Sequence, residues 1–110
     1  MNERRVREIY QRSLEMNHDT FADGEYDIAH SVLLVALQCA QRLSDVEYLT
    51  EVTRVAEKES RFIDDHHPEH AYSSKAAIGR GSMGLFQTAA QKARTIVLTS
   101  KNGNNRGHHA

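Results

Sequence analysis

Apolar positions along this chain recur at the three-to-four-residue spacing of a helix, and no segment shows the strict alternation of a half-buried strand. In residues 3–22, Val6, Ile9, Tyr10, Leu14, Met16 and Phe21 share one half of a helical wheel. Ser13, Asn17 and Thr20 fall at the centre of that face. Asp23-Gly24 stops the segment, glycine being a common helix terminator. Residues 25–43 are apolar nearly all round, with a narrow polar stripe of Asp27, Ser31, Gln38 and Arg42. A helix of that kind belongs at the centre of a fold. Leu34 stands on the stripe; a lone exposed leucine is ordinary, and it is also the candidate for an oligomer contact.

Ser44 or Asp45 supplies an N-cap for the third segment, with Glu47 in its first turn. There Tyr48, Leu49, Val52, Val55, Ala56, Phe62 and Ile63 line one face up to Pro68, the only proline. Glu59 lies in the middle of that face. The fourth segment, 69–100, has a face of Met83, Phe86, Ala89, Ala90, Ala93, Ile96 and Val97. Gly79, Gly81 and Gly84 interrupt it; each interior glycine costs about 1 kcal/mol against alanine, so this helix is expected to kink or break near 79–84. Residues 101–110 carry no period and read as a mobile tail. The prediction is one all-α domain over 1–100. It has four main antiparallel helices, arranged as a four-helix bundle or as two stacked helical hairpins.

Composition narrows the class. At 110 residues with 39% hydrophobic and 26% charged, the chain has the apolar content of a single globular domain. The longest apolar run, 32–37, is far below the roughly 18 residues that span a bilayer. The N-terminus MNERRVREIY lacks the apolar core of a secretory signal. The one cysteine, Cys39, cannot form an internal disulfide, reads as a small core residue, and favours a reducing, cytoplasmic setting.

The net charge of −1 conceals an uneven distribution. Residues 23–70 hold eleven acids and four bases, whereas residues 71–110 hold six bases and no acid. Compensation between neighbouring segments is favoured over nucleic-acid binding, because the bases are sparse and interleaved only with Tyr72 and Phe86. A lone buried carboxylate is costly, so Glu59 is expected to pair with Lys75 or Arg80 from the acid-free end. Asn17 poses the same question on the first helix.

Gly24, Tyr26, Ala29, Leu33 and Ala36 sit at a turn and then at helical spacing, with small residues where two helices would approach closely. This stretch, 24–37, resembles the middle of a tetratricopeptide repeat, which turns at a Gly-x-aromatic pair and continues with a small residue three positions on. The first helix lacks the family's large aromatic anchors, and no second unit recurs at a period near 34 residues. The resemblance implies a protein-binding or self-associating helical scaffold.

Several groups carry candidate chemistry. His66, His67 and His70, with Asp64 or Asp65, form the densest set of zinc-type ligands, but His66 and His67 are adjacent and would diverge on a helix. A polar interhelix turn is the plainer account. Arg61 and His66 match the loose Arg-x4–6-His pattern of the HEPN family of small helical RNases. That resemblance implies a cation holding phosphate beside an imidazole acid or base. Gly79, Gly81 and Gly84 spell G-x-G-x-x-G, yet no strand precedes them and no acid follows Glu69, so a dinucleotide site is excluded. Close packing through a small-residue stripe explains them instead. The expected function is a non-enzymatic protein-interaction or self-associating module, a homodimer, without cofactor, metal or membrane partner. Leu34, Lys75 and Arg80 are its candidate contacts, with the Arg61/His66 enzyme as the alternative.

Overall fold

The structure is a computed structural model that describes the backbone of residues 2–109 and the side chains of residues 2–99. It is all-helical: α1 (Glu3–Ala22), α2 (Tyr26–Leu43), α3 (Val46–His66), α4 (Ser74–Gly79) and α5 (Leu85–His109). Among the described residues, five helices stand where four were expected. The mobile tail expected over 101–110 falls on residues whose side chains lie outside the described set. Among the described residues, no helix is long and apolar enough to cross a membrane.

Local chemistry sets the helix ends. Asn2 caps α1 by accepting from the Arg5 amide at 2.8 Å. At the other end Gly24 adopts φ +79°, and the amides of Gly24 and Glu25 donate to the carbonyls of Phe21 and Thr20. This is the left-handed stop that glycine makes at least cost. Only two residues separate α2 from α3, and they serve both helices. Ser44 takes the left-handed stop at φ +51° without being glycine. The Asp45 amide donates to Ala40 while its carboxylate accepts from the Tyr48 amide at 3.0 Å, capping α3.

The predicted fourth helix begins later and breaks. Ser73, fully buried, caps α4 by accepting from Ala76 and donates to the Pro68 carbonyl at 2.6 Å. Asp64 of α3 accepts from both the amide and the hydroxyl of Ser74, each at 2.7 Å, which ties the 67–73 turn to α3. Residues 80–84 interrupt the helix where the glycines lie. A Cβ on Gly84 would stand 3.1 Å from the Tyr72 carbonyl, so the start of α5 lies close against the turn backbone.

α1 packs along α2 and α3 along α5, with α2 bridging to α3 and α5. The core runs from Tyr10, Leu33, Leu37 and Ala40 through Leu49, Val52 and Ile63 to Phe86, Ala90 and Ala93. α2 is central, as its all-round apolarity predicts. Met16 and Met83, assigned to core faces from periodicity, are about half exposed. Met16 lies off the line Val6–Tyr10–Ser13–Asn17 that α1 buries, and Met83 precedes α5 in the break. Leu34 is half-buried against the core, and its neighbour Val35 takes the exposed place.

Candidate functional site

Side chains join α1 and α3 along their length, from Arg7 and Asp45 through Tyr10 and Glu51 to Asn17 and Glu59 and the edge contact of Phe21 with Phe62. Tyr10 stacks on Tyr48 with centroids 3.8 Å apart and rings nearly parallel. The buried Tyr10 hydroxyl donates to Glu51 at 2.6 Å, and burial together with that carboxylate pushes its pKa up. Arg7 bridges Glu3 and Asp45 and lies 5.3 Å over the Tyr48 ring. The Tyr48 amide and then Arg7 hold the Asp45 carboxyl below its ordinary pKa.

Beyond the tyrosines the two helices leave a groove of about 570 Å³. Leu14 and Phe21 of α1 and Val55 and Phe62 of α3 are its apolar walls. His18, Glu51, Lys58, Arg61, Asp65 and His66 stand round the rim. Asn17 and Glu59 form the polar part of the floor. The Asn17 side-chain amide donates to the Ala29 carbonyl and to Glu59 Oε1, each at 2.9 Å. Two acceptors facing one atom fix which end of that amide is nitrogen.

Glu59 does not pair with Lys75 or Arg80. Lys75 binds Glu69 at 3.0 Å, and Arg80 donates to the Ala71 carbonyl at 3.0 Å. The break at 80–84 and the 67–73 turn keep both bases at the loop end of the fold. Among the described residues, no Lys or Arg forms an ion pair with Glu59. The residue is only 6% exposed, and burial pushes its carboxyl up to about 7 against the pull of Asn17 and Lys58. The acid-free end does meet the acidic middle elsewhere, through Arg94 of α5 and Glu57 of α3.

Both residues of the RNase-like pattern line this groove. Arg61 has no ion-pair partner among the described residues. The His66 ring stacks on Phe62, and its Nδ1 sits 3.1 Å from the Phe62 carbonyl, an acceptor. A proton on Nδ1 makes this contact a hydrogen bond to the helix backbone.

The zinc-type ligands do not converge. His67 and His70 pack on Tyr26, His70 Nδ1 accepts from the Tyr72 amide at 3.0 Å, and Asp64 is committed to Ser74. No group of three His, Cys, Asp or Glu among the described residues is placed to hold a metal ion. These histidines instead belong to an aromatic cluster in which Phe21 touches Tyr26, Phe62 and Phe86. His30 joins it edge-on to Phe86, and burial lowers the His30 pKa. Burial likewise raises the pKa of the free Cys39 thiol. Periodicity does not reveal the groove itself: it places Phe21 and Phe62 on core faces, and only their end-of-helix positions hint that they border an opening. No family model, no curated protein and no solved structure matches the chain.

Proposed function

We propose that the chain is a small helical protein-interaction module without catalytic activity of its own, and that the α1/α3 groove receives a segment of a partner protein. The observation carrying this reading is the groove's make-up: four apolar walls, a charged rim, and a volume suited to several side chains. The tetratricopeptide-like reading supports it. Ala29 and Ala36 are fully buried where α2 meets its neighbours, Gly24 makes the turn, and two helix pairs follow in order. The lone buried thiol suits the cytoplasm.

Peptides selected from a random library on the immobilised full chain test the reading. They should bind the wild type and lose about tenfold or more against Phe62→Glu, which charges an apolar wall that is already 39% exposed. Selected peptides that bind both proteins equally would place docking elsewhere.

Self-association is a second reading, favoured by Ile28 and Val35, which lie seven apart and exposed on α2. Sedimentation equilibrium should then give a dimer that Val35→Lys dissociates; a 12.5 kDa species at all concentrations ends that reading. The enzyme alternative rests on Arg61 and His66 sharing the groove. RNA cleavage abolished by Arg61→Ala and by His66→Ala separately would decide in its favour.

A further inference from the structure

We propose that the segment docking in the α1/α3 groove places a lysine side chain on Glu59, its ammonium against the free carboxylate oxygen and its methylenes along Phe21 and Phe62. The proposal rests on the docking reading above and adds the chemistry of the occupant.

Three observations converge on it. First, Glu59 is a core acid without a base. Its only side-chain hydrogen-bond partner among the described residues is Asn17, which occupies Oε1. Oε2 accepts no hydrogen bond from the described residues, yet it is not among the enclosed polar atoms left unpaired, so it opens on the groove that the residue lines. A buried carboxylate without a cationic partner is the feature such a partner relieves. Second, the rim is charge-balanced. Lys58 and Arg61 offset Glu51 and Asp65, so an ionised Glu59 leaves the groove one negative charge for a cation to neutralise. Third, the walls suit a long alkyl stem. Phe21 and Phe62 meet edge to face at 5.5 Å and border the opening, where a four-carbon chain buries its methylenes while its head reaches the floor.

The single free oxygen selects lysine over arginine. A guanidinium achieves its advantage through two parallel bonds to both carboxylate oxygens, and Asn17 already holds one of them. An ammonium is a compact charge satisfied by one oxygen. Burial raises the Glu59 carboxyl to about 7, and an approaching ammonium favours its carboxylate form.

The test is an NMR titration of the full chain with Nα-acetyl-lysine N-methylamide, and separately with its norleucine and arginine counterparts. The reporters are the Asn17 side-chain amide and the backbone amides of Phe21 and Phe62. The lysine probe should shift these signals about tenfold more tightly than norleucine and more tightly than arginine. Glu59→Gln, which keeps an acceptor for Asn17, should erase the preference. Equal affinity of the lysine and norleucine probes, a preference for arginine, or a lysine preference that survives Glu59→Gln each overturns the assignment. So does the absence of any response at the groove. The peptide selection decides docking separately: groove-binding peptides that tolerate Lys→norleucine keep the docking reading and remove this one.

Discussion

Replacing Glu59 with glutamine should stabilise this protein at alkaline pH and leave it unchanged in acid. The side chain is 6% exposed and finds one hydrogen-bond donor, Asn17, and no base among the described residues. Its carboxyl ionises near 7 in the fold, against an ordinary value of 4.5. Because the folded value is the higher one, the native state holds the proton more tightly than the unfolded chain. Stability is complete below 4.5 and is lost as pH rises towards and through 7. At 1.36 kcal/mol per pH unit, the gap sets a ceiling of about 3 kcal/mol at pH 8. Glutamine keeps an oxygen for Asn17 and never ionises, so that penalty disappears. For a domain of this size the gain corresponds to a rise in Tm on the order of 10 °C. Urea or thermal unfolding of both proteins, followed by circular dichroism from pH 4 to pH 8.5, gives the difference directly. Other titrating groups are common to the two chains and cancel. A difference that is flat with pH, or a glutamine variant less stable at pH 8, would refute the reasoning. Either result would mean that Glu59 ionises with a partner inside the fold.

Three further outcomes can be checked on the same instruments. Ser44→Gly should stabilise the fold by about 0.5–1 kcal/mol, since Ser44 holds a left-handed conformation at φ +51° that glycine adopts freely; a loss in urea unfolding would contradict this. Tyr10→Phe keeps the stack on Tyr48 but removes the donor to Glu51, at a cost of about 1–3 kcal/mol at pH 7, and a silent substitution would show that hydroxyl to be dispensable. Burial keeps His30 neutral below its ordinary pKa of 6.5, so the unfolded chain takes up a proton first and stability falls as pH drops below 6.5; His30→Leu should flatten that limb in thermal melts between pH 7 and pH 5.

The long helices were legible because each carries its own period and stop signal. Gly24, Asp45 and the all-round apolarity of α2 act within a few residues, and their effects appear where the sequence puts them. Asn17 and Glu59 were also legible as polar residues on apolar faces. Their pairing was not, because 42 positions separate them and the seam that joins them depends on how two helix pairs meet. The mistaken partners, Lys75 and Arg80, follow from reading 69–100 as one helix with a kink. Ser73 and Asp64 instead anchor a separate short helix, and Arg80 ends up against Ala71. The sequence favours a polar turn over a metal site for the histidines but does not show their packing: their neighbours Phe62 and Tyr72, together with Tyr26 and Phe86, make them members of an aromatic cluster.

The seam between α1 and α3 also carries a kinetic meaning. Each of the two helices has its main partner close along the chain, α2 for α1 and α5 for α3, and contacts of that kind form early because little loop entropy opposes them. The Tyr10 and Asn17 bonds across the seam join residues 38 to 42 positions apart. They form only once both pairs exist and have met. The groove, lined from both α1 and α3, requires the two pairs to be assembled. A segment docked there as proposed would recognise the assembled molecule and, by bridging the seam, would slow its unfolding.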